Sequence, residues 1–461
     1  MRLQIASTVI HWNSYAMNNN VLFRNPIFLW AILAVTACLY LMLGYHTVTE
    51  NFFQLALIFA ALFGLYFIAI KHFSKKFFVH LFAAGILFRL LFLFSVPNLS
   101  DDVYRFIWDG RVAANGINPF AFLPSEIIRM PALEGINDNL FQKLNSPDYY
   151  SIYPPVLQGI FWLTAALFPE SILASMFFMK VIIFLIDIGT CFLIIAILKK
   201  LAMPPERALL YILNPLVIAE LTGNIHFDGI MIFCLLLAFY LLISDNWKSS
   251  AIFLGAGIAS KLIPILFIPL IMFKLGWKKG LSYAMIAGLV TLILFALVFD
   301  ASTIQHMINS AGLFVQTFEF NASVYYLFRW IGSLIMGYNT IAILGPLLYV
   351  VAGLLILFVS WYSKKTFATS FFDKALFIVT LWFLFATTVH PWYICLLVAL
   401  SVFTNFRFAV AWSYTATLSY AAYQFSPVKE NIWLIALGYM VVISCLLLEI
   451  KKSEVKSISA F

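Results

Sequence analysis

The sequence predicts an all-α polytopic membrane protein, and three observations predict it. Hydrophobic residues fill 63% of the 461 positions and mean hydropathy is +0.97, whereas a soluble globular chain is about half apolar. The apolar residues gather into repeated runs, several of about 18 to 22 residues, long enough to cross a hydrocarbon core about 30 Å thick. Lysines and arginines concentrate in alternate turns between those runs, as cytoplasmic loops do. Residues 1–461 are therefore expected to form one integral membrane domain. The net charge of +8 belongs to that topology and not to nucleic acid, since no basic stripe, RNA-binding motif or zinc spacing is present. Cys38, Cys191, Cys234, Cys395 and Cys445 all fall inside apolar runs and form no CxxC pair, so they read as packing residues. No apolar core follows Arg2 closely, so a cleaved signal peptide is not expected.

In chain order, runs at 27–44, 51–70 and 77–96 predict the first three spans. Arg24 precedes the first, and Lys71, Lys75 and Lys76 fill the turn between the second and third, which places residues 97–155 outside as a first large outer loop. Pro119, Pro124, Pro131 and Pro147 divide it into short surface helices with too little apolar material for a core of their own. The apolar piece at 156–168, closed by Pro169-Glu170, is too short to span and reads as re-entrant or interfacial. A long run at 171–198 returns inward to Lys199 and Lys200, and Lys180 and Asp187 on one face of it predict a structural ion pair. Runs at 206–222, 228–244, 249–260, 262–273, 280–299, 340–361, 372–388, 391–404, 408–424 and 431–450 follow, with residues 300–339 as a second outer loop. The expected total is about 13 spans. The same alternation puts Arg207, Lys248, Lys274, Lys278, Lys279, Lys364, Lys365, Lys374 and Arg407 inside, leaving Arg105, Arg111, Arg129, Lys143, Lys261, Arg329 and Lys429 as outer exceptions.

Chemistry is concentrated in Ser100-Asp101-Asp102-Val103-Tyr104-Arg105-Phe106-Ile107-Trp108-Asp109-Gly110-Arg111. The chain is 10% charged overall, yet five ionisable residues fall here within eleven positions. Ser100 is the expected N-cap of a helix over 101–114, Asn115-Gly116 its stop, and Asp101 faces Arg105 at helical spacing. In a soluble protein this would be an ordinary ion-paired surface helix; beside a membrane span it is a candidate site.

Four other polar turns fall on the same predicted face. They carry Glu220, Asn224, His226 and Asp228; Lys261 before Leu262-Ile263-Pro264; Asn321 and Arg329; and His390, Trp392 and Tyr393. Taken singly, each has an everyday reading as an interfacial hydrogen bond, a snorkelling lysine or an aromatic belt. Together they describe a wet pocket. A charge in the tight turn at Lys261 is costly without a partner, and a lipid phosphate would supply one, with Arg105, Arg111 and Arg329 as further phosphate ligands. A carboxylate beside a phosphate site suits sugar transfer from a lipid phosphate. The carboxylate takes the acceptor's proton, and the cations stabilise the leaving phosphate.

These residues resemble the GT-C superfamily of integral-membrane glycosyltransferases, especially the polyprenyl-phosphate-hexose users among the mannosyltransferases. The resemblance rests on the Asp101-Asp102 run with Gly116-Ile117-Asn118-Pro119-Phe120 behind it, on Tyr153-Pro154-Pro155, on Asn214-Pro215 and on Lys261-Leu262-Ile263-Pro264. It rests also on Phe320-Asn321-Ala322-Ser323-Val324-Tyr325-Tyr326 and His390-Pro391-Trp392-Tyr393, and covers roughly residues 77–425. It implies a GT-C-like bundle with Asp101 or Asp102 as the base and Lys261 with neighbouring cations on the donor phosphate. Tyr153, Glu220, Asn224, His226, Asp228, Asn321, His390, Trp392 and Tyr393 are the expected substrate-binding groups. The implied donor is a polyprenyl-phosphate-linked hexose, mannose first among candidates, and the acceptor a glycan, lipid or protein. No metal or other cofactor is implied. The implied location is the plasma (inner) membrane with the site on the non-cytoplasmic side, or the endoplasmic reticulum in a eukaryote. The two spans before residue 77 are additional to the usual arrangement, and no soluble domain is expected after the last span. A secondary transporter or flippase would carry its charges near the midplane in repeated halves, and a lipid-diphosphate-dependent ligase or polymerase would use a different donor.

Overall fold

The computed structural model describes residues 25–299, 301–362 and 370–458. Arg2, Arg24, Lys364 and Lys365, which the topology argument uses, lie outside the described residues. The fold is all-helical. Among the described residues the sole extended pairing is an isolated bridge between Phe320 and Thr388.

Short polar side chains start the apolar helices. Asn25 caps α1 (Pro26–Tyr45) by accepting from Ile27 N at 2.9 Å, and Asn51 caps α2 (Phe52–Phe73) through Gln54 N at 3.2 Å. Ser171 does the same for the Ile172–Lys200 helix, and Ser370 and Asp373 form a reciprocal capping box on Phe371–Phe385. Among the described residues six helices are long and apolar enough to cross a membrane, or seven if the bent pair Pro215–Gly223 and Asp228–Ile243 counts as one crossing. Five more apolar helices are shorter, among them α3 (Phe78–Leu90) and Pro155–Leu167. Helix length and composition do not confirm the expected count of about 13 spans, because several apolar runs are broken inside. The run at 206–222, for example, is interrupted at Asn214-Pro215 and ends in a π-helical turn with Asn224 N bonded to Ala219 O, before a 115° bend.

Within the bundle Asp187 takes a different partner from the one expected. It accepts from Arg89 Nε at 2.5 Å and Tyr211 Oη at 2.7 Å, all three groups buried. Arg89 also donates to Gly85 O and to Ile212 O, a carbonyl freed where the chain breaks before Asn214. Lys180 points to the end of α3 instead, donating to Phe92 O, Ser95 O and Ser95 Oγ at 2.7–2.8 Å. A seven-residue spacing allowed a Lys180–Asp187 contact, but each charge finds better acceptors on a neighbouring helix.

The acidic stretch forms α4 (Asp102–Ala114), one residue shorter than expected. Asp101 occupies the cap position, Ser100 Oγ accepts from Asp102 N, and Gly116 at φ +76 ends the helix. Within the stretch expected as the second outer loop, the described residues form two helices, Ala301–Thr317 and Val324–Met336.

Candidate functional site

The segment leading to the aspartates is fixed from several sides. Asn98 Nδ2 donates to Leu43 O at 2.7 Å and Thr47 O at 2.6 Å, and the backbone N–H groups of Asn98 and Leu99 both donate to Asn224 Oδ1, at 3.2 and 3.1 Å. Asn224 in turn donates to Ala219 O and to Glu220 Oε1. The π-helical turn and the acidic loop thus share one amide. Beyond it, Asp102 Oδ1 accepts from Asn145 Nδ2 at 2.9 Å. Asp101 is exposed and its carboxylate makes no hydrogen bond among the described residues. Partial burial, the adjacent Asp102 and Glu50 raise its pKa above the usual carboxylate range.

Tyrosines from distant turns lie within electrostatic range of this pair. The charges of Asp102, Glu220, Glu430 and Asp101 all bear on the Tyr423 phenol, and that of Asp102 bears also on Tyr153 and Tyr393. Tyr393 carries Lys261, whose Nζ lies 4.0 Å from the ring centroid and 2.7 Å from Asp228 Oδ1. Asp228 sits in the first turn of its helix, where the dipole favours a carboxylate. The Tyr-Pro-Pro segment reaches the same turn, since Val156 N donates to Ala259 O at 3.2 Å. Lys261 keeps 26% of its side chain exposed, enough for its remaining ammonium protons to meet a ligand.

Behind Lys261 stands a column of rings. His226 stacks on Trp392 at 3.8 Å, Trp392 on His390 at 4.3 Å, and His390 on Phe320 at 5.0 Å. Both faces of Trp392 are therefore covered, so a sugar can meet its edge but not stack on it. Glu220, fully buried, anchors the column: Tyr420 Oη donates to it and His226 Nε2 lies 3.1 Å from its other oxygen. Asn321, at φ +48, joins the column to the far helices by donating to Val389 O and by receiving on its own carbonyl the Tyr439 hydroxyl.

The structure gathers Asp101, Asp102, Tyr153, Glu220, Asn224, His226, Asp228, Lys261, His390, Trp392 and Tyr393 into one connected region, with Asn321 at its margin. The three arginines expected beside Lys261 are engaged elsewhere. Arg105 is buried against Asp109, Ser146 O and Tyr149 O, and so pins the end of the first loop. Its partner is Asp109, one turn on, and not Asp101. Arg111 is buried and donates to Gly135 O. Arg329 pairs with Glu319 and lies over the Tyr326 ring at 4.6 Å. None of the three hydrogen bonds to a group that Lys261 touches.

Sequence reasoning missed Tyr420 and Tyr423, which lie in a stretch read as a continuous apolar span. Asn145 had no motif around it, and Asn98 was legible only as a span breaker within Asn98-Leu99-Ser100. The polar run Ser413-Tyr414-Thr415 ahead of the two tyrosines was the one available signal, and the chain there passes from helix into tighter 3-10 turns over Ala416–Gln424.

These features define a helical integral-membrane protein with an acidic pair and a lysine at the ends of broken helices. The chain matches the family model of the alpha-(1->6)-mannopyranosyltransferase N-terminal domain over residues 5–276. It belongs to that family, and is thereby a glycosyltransferase. No curated protein is matched.

Proposed function

We propose that this protein moves a mannosyl residue from a polyprenyl-phosphate carrier to a hydroxyl of a glycan, lipid or protein acceptor at the non-cytoplasmic membrane face, in the α-1,6 linkage that its family is described by. The observation that carries the reading is the Asp101–Asp102 pair, tied to the broken helix through Asn224, with the Asp102 charge acting on Tyr393, the ring on which a partly exposed Lys261 sits. Asp101 is the base. Its oxygens are unengaged and its proton affinity is raised, while Asp102 is held by Asn145. The acceptor O–H attacks the anomeric carbon, the proton passes to Asp101, and the C1–O bond breaks with its electron pair going to the carrier phosphate. Lys261 stabilises the charge that develops there. Released from exclusive pairing with Asp228, it can serve the phosphate while Asp228 and Tyr393 hold its position. One base and one anion site support a single inverting displacement, so an α product requires a β-linked donor. The reaction needs no metal ion in this reading.

The test is turnover of purified enzyme with a β-linked polyprenyl-phosphate mannose. Asp101→Asn should lower kcat by about 10²- to 10⁴-fold, the typical worth of a general base, with the protein still inserted and folded. An Asp101→Asn enzyme at full rate would remove the base assignment, and transfer from a lipid diphosphate alone would remove the donor.

A further inference from the structure

Lys180 plays no part in the reaction above, and its surroundings ask for an explanation. It lies within the Ile172–Lys200 helix, eight residues from its start, or about 12 Å along the axis. The ammonium is fully buried, and its partners are neutral: Phe92 O at 2.8 Å, Ser95 O at 2.7 Å and Ser95 Oγ at 2.7 Å. No carboxylate pairs with it among the described residues. The bundle's buried aspartate, Asp187, is taken by Arg89 and Tyr211. A buried ammonium without a counter-ion costs several kcal/mol of lost hydration, which three good acceptors only partly offset. A methionine would fill the same space without that cost, so packing alone does not account for a lysine.

What the ammonium holds is the end of the turns that follow α3, the first of two fixed points on the way to the aspartates. Ser95 is six residues before Asp101. Between them Pro97 limits the backbone, and Asn224 grips the N–H groups of Asn98 and Leu99. The two clamps work on opposite chemistry, Lys180 on carbonyls and a hydroxyl, Asn224 on amides. One residue, Ser100, remains between the second clamp and the catalytic pair.

We propose that Lys180 is a positioning residue for transfer, its buried ammonium gathering the Phe92–Ser95 turn so that Asp101 and Asp102 stand at a fixed distance from the donor. The inference rests on the function proposed above. A shift of about 1 Å at a reacting group can cost on the order of 100-fold in rate. With the Lys180 clamp gone the Phe92–Ser95 turn keeps its own Ser95-to-Phe92 bonds but loses its tie to the Ile172–Lys200 helix, and the Asn224 and Asn98 contacts hold the rest of the approach.

The experiment compares wild type, Lys180→Met, Lys180→Arg and Ser95→Ala in transfer from the β-linked lipid donor, with thermal stability in detergent measured alongside. Lys180→Met should lower kcat about 10- to 100-fold with the donor KM within twofold, by more than any accompanying loss of thermal stability accounts for. Lys180→Arg should recover part of kcat, since guanidinium keeps the charge and the donors. Ser95→Ala, which removes one acceptor and leaves the charge in place, should lower kcat a few-fold; it decides the matter if Lys180→Met does not accumulate. Unchanged kcat in both Lys180→Met and Ser95→Ala, or a fall in kcat matched by loss of stability and not recovered in Lys180→Arg, overturns the positioning role. Failure of the wild type to transfer from the donor would instead overturn the function itself, and Asp101→Asn in the same assay separates the two.

Discussion

At the scale of single residues, the proposed site depends on two adjacent carboxylates remaining unequal. Asp102 has a donor in Asn145. Asp101 has none among the described residues, and burial, Asp102 and Glu50 raise its pKa. A base works in its deprotonated form, so activity must fall as pH drops through that raised pKa. Removing the neighbouring charge reverses one of its causes. In Asp102→Asn the Asp101 pKa falls toward the ordinary carboxylate value, and the acid limb of kcat moves to lower pH. Loss of the Asn145 contact geometry lowers the plateau at the same time. Rate profiles over pH 4 to 8 check this, and an acid limb that stays in place in Asp102→Asn would show that the raised carboxylate is not the group titrating in turnover.

At the scale of elements, the breaks in helices carry the chemistry. The turn at 218–224 ends a helix early, and its Asn224 satisfies two backbone donors of the approaching loop while touching Glu220, which braces His226 against Trp392. Replacing Asn224 by Ala leaves two N–H groups without their acceptor at about 1–3 kcal/mol each where water cannot reach them. Asn224→Ala should therefore lower thermal stability in detergent and reduce kcat at least 10-fold. A variant equally stable and fully active would mean that the loop is held by its other contacts. The same breaks explain what was legible beforehand. The Asp101–Ala114 helix could be read to within one residue, because a cap, a charged first turn and Asn-Gly are local signals. The polar turns at Asp228, Lys261 and His390–Tyr393 were visible because a polar residue in an apolar chain stands out. What the sequence could not supply was pairing. Arg105 prefers Asp109 on its own helix over Asp101, because Ser146 O and Tyr149 O also receive its guanidinium, and Asp187 prefers Arg89 over Lys180; both depend on which distant segment packs alongside. Tyr420 and Tyr423 stayed hidden because a tyrosine within an apolar run gives no sign of where its hydroxyl will point.

At the scale of the whole molecule, the candidate site and the basic residues occupy opposite ends of the same helices. The Ile172–Lys200 helix starts beside the residues that pack on the first loop and ends, about 44 Å later at 1.5 Å per residue, in Lys199 and Lys200. The Asp228–Ile243 helix leaves the site at Asp228, and its partner Trp247–Ile258 starts next to Lys248 and returns to the site at Lys261. If basic ends are cytoplasmic, these helices carry the aspartates and Lys261 to the other face. Single cysteines in a background lacking the native five give a direct reading. Asn139→Cys, exposed in the short Asp138–Phe141 helix of the first loop, should react with a membrane-impermeant maleimide in intact cells. Lys199→Cys, exposed at the far end of its helix, should react only after permeabilisation. The opposite pattern would turn the site toward the cytosol, where soluble nucleotide sugars compete as donors and the argument for a lipid carrier loses its premise. The pattern expected here leaves the carrier as the activated sugar that reaches this face, with Lys261 as the cation waiting for its phosphate.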